Sequence, residues 1–113
     1  MGKFDEAVEM YSAEMKKLGI KADLPLFTKV AKGLGPSLYR ADAAKVASSD
    51  KTELERVKKN FLIKKLGLAD TPKLDEGIKD VIEKFGKGNR NKYRAIFYYL
   101  LVKRFRKSGV YKD

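Results

Sequence analysis

Seven cationic side chains near the C-terminus carry the clearest chemical potential in this sequence, because lysine and arginine bind phosphates and other anions through charge-assisted hydrogen bonds. They flank residues 95–102, which are eight consecutive apolar or aromatic residues. The first cluster is Arg90, Lys92 and Arg94, and the second is Lys103, Arg104, Arg106 and Lys107. We predict that these seven residues form a polyanion-binding site.

The two clusters are expected to lie at the two ends of one helix. About ten residues separate them, which at 1.5 Å per residue corresponds to roughly 15 Å, enough to contact phosphates across a groove. A purely structural explanation stays open, because the ends of a buried helix must reach water. Cations are favoured at a helix C-terminus and disfavoured at its N-terminus. That explanation covers the second cluster, but the first cluster opposes the helix dipole.

The positive charge of the chain is concentrated in its last quarter. The net charge is +11 over 113 residues, and residues 87–113 hold nine cations against Asp113 alone, which gives +8. A local field of this kind attracts nucleic acids and other polyanions. The predicted function is a non-enzymatic binding module that contacts nucleic acid or another polyanion.

The composition argues against an enzyme. The chain has no histidine and no cysteine, which removes the commonest general base, the commonest metal ligands and any disulfide framework. The segment GKGNRN lacks the spacing of a phosphate-cradling loop. No nucleophile with a base and an orienting group stands out among the other residues. We therefore expect no catalytic residue, no cofactor and no bound metal.

Aromatic residues motivate a second candidate function. The chain has six tyrosines and six phenylalanines, and several of them lie in the basic segment. If Tyr98, Tyr99 or Phe105 is exposed, it contributes to an apolar patch of the kind that marks interfaces. That alternative predicts a protein–protein interaction or self-association module. Base stacking on these rings is less favoured, since a continuous apolar helix buries its rings.

Residues 61–85 contain two further patterns that have an ordinary explanation. Their helix–glycine–helix arrangement is similar to a DNA-binding helix-turn-helix, but acids in the second helix would repel phosphates. Glu76, Asp80 and Glu83 share one helix face and could form a metal or acid–base cluster. We favour a solvated face with ion pairs between residues four apart. The expected pairs are Asp75 with Lys79 and Asp80 with Lys84.

The elements that must position these residues are helices. Apolar residues recur every three or four positions along most of the chain, which is typical of amphipathic helices. No stretch alternates for long enough to predict a strand. Five helices are predicted, with apolar residues over 4–18, 26–34, 54–62, 74–85 and 95–102, and a turn or two of helix is expected around 41–47.

Capping residues and glycines set the expected helix boundaries. Asn89 or Asn91 is expected to cap the fifth helix, which runs to about Lys107. The expected caps of the second, third and fourth helices are Asp23, Asp50 or Ser49, and Thr71 before Pro72. The glycines expected to end the four earlier helices are Gly19, Gly33 with Gly35, Gly67 and Gly86.

The fifth helix differs from the others because residues 95–102 are apolar on every side. A helix of this kind is usually the buried centre of a bundle. The predicted fold is therefore all-α, a compact bundle of about five helices with a buried C-terminal helix. The length fits a single helical domain over residues 1–113, with residues 108–113 as a flexible tail.

Targeting and membrane segments are not expected. The first ten residues contain three acids and no apolar segment typical of a secretory signal. The apolar run of eight residues is far below the about 20 that a membrane-spanning helix needs. We expect a soluble, cytoplasmic protein with no membrane partner.

Three blocks of sequence resemble a known family. They are DLPLFTKVAKGLGPSLYRADAAKVASSD (23–50), NFLIKKLGLAD (60–70) and VIEKFGKGNRNKYRAIFYYLLVKRF (81–105). On these blocks the chain resembles a family of short, functionally uncharacterised bacterial proteins, a domain-of-unknown-function family. The resemblance implies a compact, largely helical domain with no established activity, and it transfers no catalytic residue.

Overall fold

The computed structural model describes residues 2–21, 23–38, 45–46, 50–86, 88 and 92–111. Within these ranges every regular element is helical, and the single β-type contact is an isolated antiparallel bridge between Lys45 and Tyr93. The elements are α1 (Lys3–Lys17), α2 (Leu24–Gly33), a 3-10 helix (Gly35–Leu38), α3 (Lys51–Arg56), a π-helix (Val57–Lys65), α4 (Pro72–Phe85), α5 (Arg94–Arg104) and a second 3-10 helix (Ser108–Tyr111). The prediction of an all-α bundle is confirmed.

The predicted starts of three helices are also confirmed. The Asp23 side chain accepts a hydrogen bond from the Leu26 amide at 3.3 Å and caps α2. The Asp50 side chain accepts from the Thr52 amide at 2.9 Å and caps α3. Thr71 precedes α4, whose first residue is proline. The first amides of a helix have no carbonyl partner within the helix. A nearby side chain can accept their hydrogen bonds, and proline fixes the φ of the first turn, so these starts can be predicted from the sequence.

The predicted boundaries of α5 were wrong. The helix begins at Arg94 rather than after an asparagine cap, and it ends at Arg104 rather than near Lys107. Its start is fixed by a long-range contact, because the Val46 amide donates to the Lys92 carbonyl at 2.8 Å and holds residues 92–93 extended. The two asparagines proposed as caps, Asn89 and Asn91, lie outside the described residues.

Two further predictions concern the helical turn around residues 41–47 and the flexible tail at residues 108–113. Of the helical turn predicted around residues 41–47, only Lys45 and Val46 are described, and they belong to the extended bridge rather than to a helix. The last four described residues form a 3-10 helix in which Tyr111 is half-buried. The flexibility of residues 108–113 therefore stays a prediction.

The centre of the bundle is α5, as predicted from its apolar run. Seven of the residues 95–102 are buried, and Leu100 is half-buried. Aromatic rings from three other helices pack onto rings of α5. The pairs are Phe27 of α2 with Tyr99 at 5.7 Å, Phe61 of the π-helix with Tyr98 at 4.0 Å, and Phe85 of α4 with Phe97 at 6.0 Å. Offset and edge-on ring pairs add to the burial energy of the rings themselves.

Acidic side chains of α4 bind cations of other helices rather than their own neighbours. Asp75 pairs with Lys58 of the π-helix at 3.4 Å, and Asp80 pairs with Arg104 of α5 at 2.9 Å. The predicted pairs of Asp75 with Lys79 and of Asp80 with Lys84 were wrong, because helix packing brings competing cations closer.

None of the helices in the described ranges combines the length and the apolar character needed to cross a bilayer.

Close packing of α4 and the end of α5 depends on Gly77. A Cβ atom at this buried position would lie 2.3 Å from Cζ of Phe105. Alanine at a helix-interior glycine normally stabilises by about 1 kcal/mol. We predict that Gly77→Ala raises the free energy of unfolding by this amount when Phe105 is also replaced by alanine. In the wild-type background the Phe105 ring must move, so the change in the free energy of unfolding should be at least ~1 kcal/mol less favourable. Urea unfolding of the four proteins measures the difference, and additive effects would contradict it.

Candidate anion-binding surfaces

The first predicted cationic cluster is largely withdrawn from solvent. Lys92 is 3% exposed, and burial lowers the pKa of its ammonium group. The Arg94 guanidinium binds the carboxylate of Glu53 and donates to the Tyr98 hydroxyl at 2.9 Å. Arg90 lies outside the described residues. Neither Lys92 nor Arg94 therefore offers an exposed charge to a large anion.

The contacts of Arg94 form a clamp between α5 and α3. The side chains of Arg94 and Glu53 are only 16% and 15% exposed. Burial by itself lowers the pKa of Arg94, but hydrogen bonds to Glu53 and Tyr98 and their charges raise that pKa overall. Burial raises the pKa of Tyr98 despite the opposing effect of Arg94. At neutral pH the clamp is thus a charged pair with a neutral tyrosine hydroxyl.

The second cluster has a different environment. Lys103 and Arg106 are exposed, and Lys107 is half-buried. Arg104 is the member held by an acid, Asp80. Within the described part of the chain, no acid lies within ion-pair distance of the other three members of this cluster. Lys103 also lines an open cavity of about 330 Å³ between α4 and α5, and Lys84 lines the same cavity.

The two clusters do not share one face of the helix. Lys103 follows Arg94 by nine positions, and at about 100° per position this turns Lys103 to the opposite side of α5. The described cations of the two clusters therefore lie on different sides of α5, and binding of one anion by all seven residues stays a prediction. We define the C-terminal basic surface as Lys103, Arg106 and Lys107, the members of the second cluster without an acidic partner, together with Lys84 of α4, which lines the same cavity as Lys103.

Arg106 has an unusual backbone conformation for its residue type. Its φ is +54°, in the left-handed region that costs an L-residue about 1 kcal/mol or more. The amide of Arg106 donates to the Lys103 carbonyl at 3.2 Å, and the amide of Lys107 donates to the Val102 carbonyl at 2.9 Å. This is the hydrogen-bond pattern of a Schellman C-terminal cap, in which glycine usually takes the left-handed position.

The same molecule uses glycine at the corresponding place elsewhere. The residues with positive φ that follow the C-caps of α1, α2 and the π-helix are Gly19, Gly35 and Gly67. After α5 the residue at this place is Arg106, and its side chain makes the left-handed backbone conformation strained. The sequence pattern places Arg106 among four cations but does not predict its left-handed backbone conformation. The signal that could have found it is the missing glycine after the fifth helix.

A second concave feature lies on the opposite side of α5. Two adjoining cavities of about 240 and 320 Å³ share the residues Gly33, Leu34, Asn60 and Tyr98, and we call them together the Tyr98 groove. Val30, Phe61, Lys65 and Tyr111 complete the first cavity, and Glu53, Arg56 and Arg94 complete the second. Of the predicted site residues, only Arg94 belongs to it, because the groove forms where five elements of the chain meet.

The aromatic residues that suggested self-association are mostly covered. Tyr98 is 9% exposed and Tyr99 is 1% exposed, while Phe105 is half-buried against α4. The large apolar residues that are exposed in the described ranges are Met10, Leu24 and Val110, on three separate elements. Self-association through the three predicted rings therefore lacks the exposed patch that it requires.

The clamp between Arg94 and Glu53 should contribute to stability. We predict that Glu53→Gln lowers the free energy of unfolding by about 2 kcal/mol, because it leaves a half-buried guanidinium without its anionic partner. Glu14→Gln is the control, since Glu14 pairs at 3.6 Å with the exposed Lys17 and should change stability by less than about 0.5 kcal/mol. Equal effects of the two variants in urea unfolding would contradict a special role for the clamp.

Tyr111 should make stability depend on alkaline pH. Burial and the neighbouring Tyr98 raise the pKa of Tyr111 to about 12, whereas a free tyrosine has a pKa of about 10. Its contribution is complete below about pH 10 and is lost as the pH rises towards 12. We therefore predict that wild type loses stability relative to Tyr111→Phe between about pH 9 and 11, by up to about 1 kcal/mol once solvent screening of the half-buried ring is allowed for. A constant difference in urea unfolding would contradict the shift.

Comparison with known proteins identifies a family but no function. A family model described as "Protein of unknown function (DUF2853)" matches residues 10–109, which is most of the chain. This confirms the resemblance found in the three sequence blocks, while a bacterial origin stays a prediction. No curated protein matches the chain.

Proposed function

Because the chain belongs to this family of unknown function, we propose its function from its own geometry: it is a non-enzymatic module that binds nucleic acid or another polyanion through the C-terminal basic surface. The observation that carries the proposal is Arg106. Its side chain is exposed, it has no acidic partner among the described residues, and its backbone is strained. Strained residues at a surface often mark a functional group.

The electrostatic preference of a helix C-terminus does not account for Arg106. Cations near the last turn of a helix are favourable, and α5 already carries Lys103 and Arg104 in its last turn. Arg106 lies beyond that turn, where glycine would relieve the strain. The arginine therefore costs stability that a simple structural role would not require, which supports a role in binding.

The chemistry of the C-terminal basic surface favours contacts to phosphates rather than to bases. Its four members are lysine and arginine side chains on the outside of the bundle, and no exposed ring accompanies them in the described residues. Such contacts position a nucleic acid without reading its sequence. With about three to four contacts at ~0.9 each, the logarithm of the affinity should fall with the logarithm of the salt concentration with a slope near −3.

Fluorescence anisotropy with labelled single-stranded and duplex DNA and RNA tests the proposal. We expect micromolar binding at about 50 mM salt, largely lost at about 200 mM, and a loss of at least tenfold for Lys103→Glu with Arg106→Glu. The matched control is Lys3→Glu with Lys21→Glu, which makes the same charge change at two exposed lysines elsewhere. Absence of binding at low salt, or an equal loss in the control, would overturn the proposal.

Arg106→Gly separates binding from stability. Glycine removes the strain at this position, so the variant should be more stable than the wild type by about 1 kcal/mol. It also removes one cation, so it should bind the same DNA several-fold more weakly. A variant that is more stable and binds equally well would show that Arg106 is not a contact residue.

A further inference from the structure

We propose that the Tyr98 groove binds a small organic anion, a planar apolar molecule that carries one phosphate or carboxylate group. This site is separate from the C-terminal basic surface, with which it shares no residue. The groove lies between the C-terminal end of α2, the segment in which α3 runs directly into the π-helix, α5 and the second 3-10 helix. The inference rests on the shape of the groove, on its cations and on the winding of the helix that presents them.

The groove is lined by apolar and polar surface in roughly equal parts. Its apolar part, which we call the floor, consists of Val30, Leu34 and Phe61, and the Phe61 ring stacks on Tyr98 with 4.0 Å between ring centroids. Concave sites of a few hundred Å³ that combine apolar walls with convergent polar groups are typical of small-molecule binding. The floor therefore suits the flat apolar part of a ligand.

Two cations at the rim are available for the charged part of a ligand. Arg56 and Lys65 have no ion pair with an acid in the described part of the chain. The third cation, Arg94, is bound to Glu53, which is the one acid among the described residues that line the groove. The groove thus has an excess of two positive charges, and guanidinium and ammonium groups bind phosphate and carboxylate strongly.

The π-helix aligns the groups that would contact the anion. In an α-helix, residues five apart point about 140° away from each other. In a π-helix, residues five apart are hydrogen-bonded through the backbone and lie nearly above each other, as the Leu66 amide shows by donating to the Phe61 carbonyl at 2.9 Å. This winding brings Lys65 beneath Asn60, and Arg56 precedes Asn60 by four residues on the same face.

Neutral donors complete the rim. The Asn60 side chain makes no hydrogen bond within the described residues. Tyr98 and Tyr111 both line the groove, and burial raises the pKa of each phenol, that of Tyr111 to about 12. Both phenols therefore stay protonated at neutral pH, where each can donate a hydrogen bond to an anion. Lys65 is held near this position by its contact with the Tyr111 ring, 5.4 Å from the centroid.

Four probes separate the two halves of the proposed ligand. Phenyl phosphate and benzoate carry both a ring and a charge, phenol carries the ring alone, and inorganic phosphate carries the charge alone. In two-dimensional NMR titrations we expect saturable shifts of amides in residues 56–65 and near Tyr98 and Tyr111 with the first two probes. Phenol and inorganic phosphate should bind at least tenfold more weakly.

Matched variants test the assigned residues. Arg56→Gln and Lys65→Gln should each weaken phenyl phosphate binding about tenfold, which corresponds to one charge-assisted contact. Lys59→Gln and Lys64→Gln are the controls, because they remove exposed charges of the same helix that do not line the groove. Gly33→Leu should block the groove without changing its charge, since the space beside Gly33 is open.

The outcomes distinguish this proposal from polyanion binding. Lys103→Glu with Arg106→Glu should leave phenyl phosphate binding unchanged, and Gly33→Leu should leave DNA binding unchanged. The groove proposal is overturned if no probe shifts these amides at about 10 mM, if phenol or inorganic phosphate binds as well as phenyl phosphate, or if the control lysines matter as much as Arg56 and Lys65. Circular dichroism of each variant verifies that its fold is intact.

Discussion

Burial of α5 is the constraint on which the rest of the structure depends. Its run of apolar residues has no polar face, so α2, α4 and the π-helix must enclose it, and each does so with an aromatic ring. Burial of one large apolar side chain is worth about 2 kcal/mol, so the enclosed helix is a main source of stability. The consequence for function is that ligands can meet only the ends of α5 and the seams between its neighbours.

The cations at the two ends of α5 differ in burial and in ion pairing. At the N-terminal end, where the helix dipole disfavours positive charge, Arg94 is neutralised by Glu53 and Lys92 is buried beside the bridge to Lys45. At the C-terminal end Lys103 and Arg106 are exposed and have no acidic partner among the described residues, and Arg106 occupies a strained position at the turn. Because the described cations of the first cluster are buried or paired within the bundle, the second cluster is the better candidate for binding.

Both candidate surfaces lie where the chain departs from its most stable local conformation. One departure is the left-handed arginine after α5, and the other is the π-helix that follows α3. Sequences generally agree with their fold at each local step, and the exceptions concentrate at functional or strained sites. The two departures are independent of each other, since they lie on different helices and open to different sides of α5. This is the physical reason for treating them as two sites with separate ligands.

The sequence by itself determined the helices and the identity of the buried one. Apolar spacing, the caps at Asp23 and Asp50 and the Thr71–Pro72 start are local signals, so they needed no knowledge of packing. Only the tertiary structure decided which cations are exposed. Arg94 is neutralised by a residue 41 positions away, and the start of α5 depends on Val46. The π winding and the groove likewise arise where helices meet. Burial and ion pairing depend on which elements pack together, and local sequence patterns do not predict contacts between residues that are far apart in the chain.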